Sequence, residues 1–213
     1  VTNKETTTNT ESKLSKHVVI TIAREYASGG RYIGKLVADK LGIKLYDNEF
    51  ISKVAKETGL SEEYIENNEQ KRDALASLNN GYYSGLNNSD ELFIKESELI
   101  KEVADKESCV IVGRCADFIL AGRENVINVF VYSDMEDKIN RATTYYGMDK
   151  AKAEKEIKRI DKLRANHYKY YTEKDWNNHS NYDICINSDA FGVEKSADLI
   201  CELVESKLEM VKA

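Results

Sequence analysis

The sequence predicts an α/β protein: one five-stranded parallel sheet flanked by helices. Two observations carry that expectation. Short apolar runs recur with helical patterns between them, as when parallel strands are joined by crossover helices. The first run, Val18–Ala23, also passes directly into Arg24-Glu25-Tyr26-Ala27-Ser28-Gly29-Gly30-Arg31 and then into a helical pattern from Tyr32. Strand, tight glycine-bearing loop and helix start, in that order, form a phosphate-binding layout. Consecutive backbone N–H groups and the positive end of the helix dipole can wrap a polyphosphate. The Walker A pattern G-x-x-x-x-G-K-[ST] is met only in part. Aligned on Gly30, the chain has Glu25 for the first glycine, Arg31 for the lysine and Tyr32 for the hydroxyl residue.

Each element follows from its pattern. Val18–Ala23 reads as a buried strand, followed by a helix over about Tyr32–Leu41 that Gly42 can end. Ile43–Tyr46 is a short second strand closing on Asp47. From Asn48 to Glu107 no strand pattern appears, only helical segments (Phe50–Glu57, Glu62–Asn68, Glu91–Lys106) around an irregular stretch at 78–88. Strand Cys109–Val112, a short helix after Arg114 and strand Val126–Tyr132 follow. A helix then opens at Ser133 with Glu136 in capping-box position. A long charged helix covers about Lys150–Tyr170, a polar loop Thr172–Asn181, a strand Tyr182–Asn187 and a last helix Val193–Val211. Ligands of such sheets bind at the strands' carboxyl ends.

Composition sets bounds. The 213 residues suit one domain with a sizeable core, spanning 17–213 after a Thr-, Asn- and Lys-rich tail, 1–16, expected to be mobile. A net charge of −6 argues against a nucleic-acid polymer as partner. No apolar run is long enough to cross a membrane and the N-terminus lacks a signal-peptide pattern, so the expected location is cytoplasmic. The cysteines Cys109, Cys115, Cys185 and Cys201 lack metal-ligand spacing and read as reduced core thiols. No protein metal site is expected.

Two segments interrupt the core and differ in charge. Residues 48–107 carry 14 acidic and 7 basic side chains, net −7, whereas 147–175 carry 9 basic and 6 acidic, net +3. A basic segment on an acidic protein is either a solvated helix or a source of compensating charge for phosphates. At about 100° per residue, Ile157, Ile160, Asp161, Arg164, Tyr168 and Tyr171 share one helix face. Arg159 lies well away from Arg164, so both reach one ligand only if the helix is broken between them. A further candidate is Val110-Ile111-Val112-Gly113-Arg114-Cys115-Ala116-Asp117, a buried strand that ends in glycine and delivers Arg114 and Asp117 to the ligand edge. Arginine suits phosphate because its planar fork binds two oxygens at once.

These segments together, with Leu45-Tyr46-Asp47 and Arg159-Ile160-Asp161-Lys162-Leu163-Arg164 running into Tyr168-Lys169-Tyr170-Tyr171, resemble the cytidylate kinase-like family within the nucleoside monophosphate kinases. The resemblance covers nearly everything after the tail. It implies a P-loop kinase fold in which 48–107 is a helical acceptor-binding insert and 147–175 the lid. It also implies ATP-dependent phosphoryl transfer to a nucleoside monophosphate, CMP first, with Mg²⁺ held mainly by the nucleotide. Position by position, Ala27, Ser28, Gly29, Gly30, Arg31 and Tyr32 would hold the ATP phosphates, and Arg31, Arg159 and Arg164 would be catalytic. Asp47, Arg114, Asp117, Asp161 and Tyr168 would bind the acceptor. Cytidylate kinases proper have lysine at Arg31, threonine at Ile33, and aspartate at Val112 and Cys115. Two alternatives stay open: a nucleotide-binding regulatory module without turnover, and a kinase of another small metabolite.

Overall fold

A strand with apolar side chains on both faces must be covered on both, and β1 (Val19–Arg24) is placed accordingly. In the computed structural model, which describes residues 17–47 and 88–210, it is the central strand of a sheet ordered β2-β3-β1-β4-β5. The others are β2 (Lys44–Tyr46), β3 (Cys109–Val112), β4 (Val126–Tyr132) and β5 (Ile184–Asn187). All pairings are parallel: Ile20 aligns with Val110 and Ile127, Leu45 with Val110, and Phe130 with Cys185. The expected five-stranded parallel sheet is therefore present.

Helix α1 (Gly30–Leu41) and the last helix cover one face, where Ile33 and Val37 meet Ile20, Ile22, Val110, Val129 and Ile200. Helix α2 (Asn88–Lys106) covers the other, setting Leu99, Ile100 and Val103 against Val19, Cys109 and Ile111. The short α3 (Ala116–Ile119) follows β3, and α4 (Met135–Tyr146) and α5 (Lys150–Thr172) follow β4. The one hydroxyl inside β1, Thr21, donates to Asn128 Oδ1 of β4 at 2.7 Å, which makes its burial affordable.

Several bounds differ from the sequence reading: β1 is shifted by one residue, α1 begins at Gly30 rather than Tyr32, and β5 at Ile184 rather than Tyr182. Helix α4 starts after Asp134 rather than Ser133, and the Ser133 hydroxyl donates to Asp137 Oδ2 at 2.8 Å, so no capping box with Glu136 forms. The last helix, α6 (Ser188–Met210), begins five residues early and is interrupted at Gly192, whose φ of 74° breaks the helical path. Cys185 is exposed on edge strand β5, while Cys109 and Cys115 are core thiols as expected. The expected tail, the segments Phe50–Glu57 and Glu62–Asn68, and residues 78–87 lie outside the described residues. Among the described ones, no helix is long and apolar enough to cross a membrane.

Ile22 is fully buried between α1 and β3. Ile22→Ala should lower unfolding free energy by about 2–5 kcal/mol, whereas Tyr145→Ala, at a position 72% exposed, should change it by less than about 0.5 kcal/mol. Denaturant titration of the two variants checks where the core lies.

Candidate active site

The loop between β1 and α1 is held by its neighbours as well as by bonds of its own. Glu25 N–H donates to Val131 O at 2.9 Å and Tyr26 N–H to Asp161 Oδ1 at 2.6 Å. The Ser28 hydroxyl folds back to Glu25 O at 2.9 Å, and Ser188 Oγ of α6 donates to Ser28 O at 2.6 Å. Ala27 and Gly29 adopt left-handed φ values of 59° and 79°. No side chain caps α1, so the N–H groups of its first turn keep their donor capacity for a ligand.

Four guanidinium groups from four elements gather beside this loop. Arg31, in the first turn of α1, is ion-paired with Asp47 just after β2. Arg114 follows β3, and Glu96, fully buried on α2, reaches it at 3.4 Å. Arg164 of α5 donates to Arg24 O at 2.9 Å and lies over the Tyr26 ring at 5.5 Å. Arg24 ends β1. Burial first, then Arg164, Arg114 and Arg31, push its pKa down to about 9, with Asp47 opposing. Burial likewise pushes Arg114 down to about 10, again with Asp47 opposing. Asp47 is thus the carboxylate that acts on all four guanidinium groups, while Glu96 faces Arg114 and Asp161 acts on Arg164.

Two glycines make room for Arg24. A Cβ on Gly30 would fall 2.5 Å from Arg24 Cβ, and one on Gly113 would fall 2.0 Å from Arg24 Nη1. The guanidinium therefore lies across the end of β3. Beyond it, Gly113, Arg114 and Cys115 are all left-handed, with φ of 80°, 60° and 54°. That conformation costs roughly 1–2 kcal/mol for each non-glycine residue, and such strain clusters where side chains are aimed for function. Here it aims Arg114.

The other sequence candidates have different surroundings. Asp161 accepts from Tyr26 N–H and, at 3.3 Å, from Lys138 Nζ, and burial holds its carboxyl above the usual range. Asp117 and Tyr168 are brought together but face each other: the phenol donates to Asp117 Oδ2 at 2.5 Å in a cluster with Phe130 and Trp176. Burial raises both of their pKa values. Helix α5 is continuous, so Arg159 is not brought to Arg164; its Nε and Nη2 donate to Glu156 at 2.9 and 2.6 Å on an exposed face. Tyr32 is 49% exposed at the rim.

Three residues enter the site that the sequence reading did not select. Arg24 was signalled by the argument used for Arg114, a guanidinium at the end of a buried apolar strand. Arg141 lies over the loop, its Cζ 3.3 Å from where a Gly29 Cβ would stand, and its Nη2 donates to Asp137 at 3.2 Å. Lys138, 5% exposed, joins Glu25 at 2.8 Å to Asp161. Nothing in a helical pattern distinguishes such a lysine from a solvated one.

The donor set does not fit a protein-held Mg²⁺. Such a site uses a hydroxyl after the loop's cationic residue and a carboxylate on the neighbouring strand. The chain has Tyr32 and buried Ile33 after Arg31, and β3 ends on buried Val112. Among the described residues no group of three or more metal-ligating side chains occurs.

The sequence profile of the cytidylate kinase-like family matches residues 19–190. The chain belongs to that family. It is 26% identical over 190 residues to the cytidylate kinase of Archaeoglobus fulgidus, covering 88% of this chain and 95% of the relative. A crystal structure of an uncharacterized protein from Eubacterium ventriosum superposes with a TM-score of 0.70 at 29% identity, covering 89% of this chain and 99% of the other. Shikimate kinase from Bacteroides thetaiotaomicron superposes at 0.52 with 16% identity, covering 88% and 98%. The fold is that of P-loop kinases.

Because Lys138 compensates two carboxylates, Lys138→Met should destabilise the protein by about 3–5 kcal/mol at neutral pH. In the variant the stranded Asp161 carboxyl has a folded pKa raised further above its unfolded value. The penalty should therefore be small in acid and grow as pH rises through that folded pKa. Thermal melts of both proteins across pH 4–8 measure it; a penalty independent of pH would contradict the pairing.

Proposed function

We propose that the protein transfers the γ-phosphoryl group of ATP to a nucleoside monophosphate, with CMP the first acceptor to test. The observation that carries this reading is the convergence of Arg24, Arg31, Arg114 and Arg164 on one carboxylate beside the uncapped start of α1. An in-line transfer between two phosphates needs positioning and charge stabilisation and no covalent intermediate. In this reading the loop residues Ala27 to Tyr32 hold the donor phosphates, and Arg31 and Arg164 stabilise the transferring group. Arg114, with Asp47 beside it, holds the acceptor phosphate. Asp161, Asp117 and Tyr168 position these groups, Asp161 through the Tyr26 N–H and the other two through their mutual bond.

Residues 147–175 act as the lid, and Arg159 reaches the phosphates only if α5 rearranges on closure. Helix α2, from the proposed insert 48–107, already packs on α5 through Phe93 stacked on Tyr171 at 3.8 Å, so movement of one would be felt by the other. A divalent ion accompanying ATP would have chiefly the nucleotide's own phosphates as ligands. Cytoplasmic location belongs to the same proposal, since ATP is supplied there.

A panel of nucleoside monophosphates with ATP, reading ADP formation, tests the proposal. Turnover with CMP is expected. Nucleotide binding without turnover would favour a regulatory module, and turnover only with an acceptor lacking a base would favour another metabolite kinase. Arg114→Ala should raise the acceptor KM about 10- to 100-fold, the loss of a charge-assisted contact, and leave ATP affinity within about twofold. Arg31→Ala should weaken ATP instead. The reverse pattern would mean that donor and acceptor sites are exchanged.

A further inference from the structure

The mismatch with a metal site has a positive counterpart. In P-loop enzymes a divalent ion bridging the phosphates is held between the start of the first helix and the end of the neighbouring strand. In this chain that gap contains a side chain. Arg24 leaves β1, passes beneath Gly30 and lays its guanidinium across Gly113 at the end of β3, where Nη1 occupies the space of a glycine Cβ. The surrounding positions match a cation that is already present. The strand-end residue, Val112, is apolar and buried, and Ile33 offers no oxygen. Tyr32 is at the exposed rim.

A guanidinium has one positive charge and five N–H donors in a rigid fork, so it can bridge two phosphate oxygens as a metal ion does. With Arg31, Arg114 and Arg164 close by, the guanidinium groups outnumber the carboxylates Asp47, Glu96 and Asp161 that act on them among the described residues. We propose that Arg24 is a built-in counter-ion for the nucleotide, so that a di- or triphosphate binds at this loop without a divalent cation. This rests on the reading that the loop holds the donor phosphates.

Calorimetric titration of ADP, and of a non-hydrolysable ATP analogue, into the full chain tests this, once in EDTA and once in excess Mg²⁺. The expected result is dissociation constants agreeing within about threefold. Arg24→Gln should bind at least tenfold more weakly in EDTA and recover part of that loss in Mg²⁺, because the metal then supplies the missing charge. Arg24→Lys, which keeps the charge but not the fork, should fall between, and thermal melts of both variants check that they fold. Parent protein whose affinity rises tenfold or more with Mg²⁺ would overturn the inference and leave the kinase reading standing. Absence of nucleotide binding in both buffers would overturn both.

Discussion

A parallel sheet with an apolar interior supplies no charge of its own, so any phosphate it binds must be met by side chains delivered to the strand ends. In this protein they come as arginines on β1, α1, the β3 turn and α5, set around Asp47. Like unit charges about 5 Å apart repel by about 3 kcal/mol at an effective dielectric constant of ~20. The arrangement is therefore held against its own repulsion; the lowered pKa of Arg24 registers burial first and that repulsion second, whereas the lowered pKa of Arg114 comes from burial. A bound anion would relieve the repulsion. Asp47 beside Arg31 and Glu96 beside Arg114 are local counter-charges.

Much of the local structure serves to keep this cluster assembled. The Glu25–Lys138–Asp161 chain ties the loop to α4 and α5, and the left-handed turn at Gly113–Cys115 stores backbone strain to present Arg114. Glu96, fully buried on α2, faces Arg114. Each support comes from a different segment of the chain, so the site exists only in the folded domain. A core that is otherwise conventional, with Ile20, Ile22 and Val110 at its centre, supplies the rigidity against which the charges are held.

The sheet was legible in the sequence because each parallel strand is a continuous apolar run, and strands Cys109–Val112 and Val126–Tyr132 have the bounds that the pattern gives. Helix starts were less legible: Ser133 and Asp134 are both good capping residues, and the Ser133 N–H donates to distant Glu25 while its hydroxyl is bonded to Asp137, leaving Asp134 at the cap position. Asp47, Arg114 and Arg164 stood out because charge at a strand end or among apolar residues contradicts its local pattern, and Arg31 because it takes the lysine's place in the Walker A alignment. Lys138 did not, since its burial depends on two carboxylates from distant segments. Arg24 was hidden by the loop that follows it, and the space that Gly30 and Gly113 leave for it is seen only in the folded chain.

The central claim is that the arginine cluster is a phosphate site for which Asp47 stands in. A crystal structure with a bisubstrate analogue, adenosine and cytidine joined by a polyphosphate, tests it most directly. Phosphate oxygens are expected within hydrogen-bond distance of Arg31, Arg114 and Arg164, with Arg24 between loop and β3, and the Arg31–Asp47 pair opened. An analogue bound elsewhere, with Asp47 still seated among the four arginines, would contradict it.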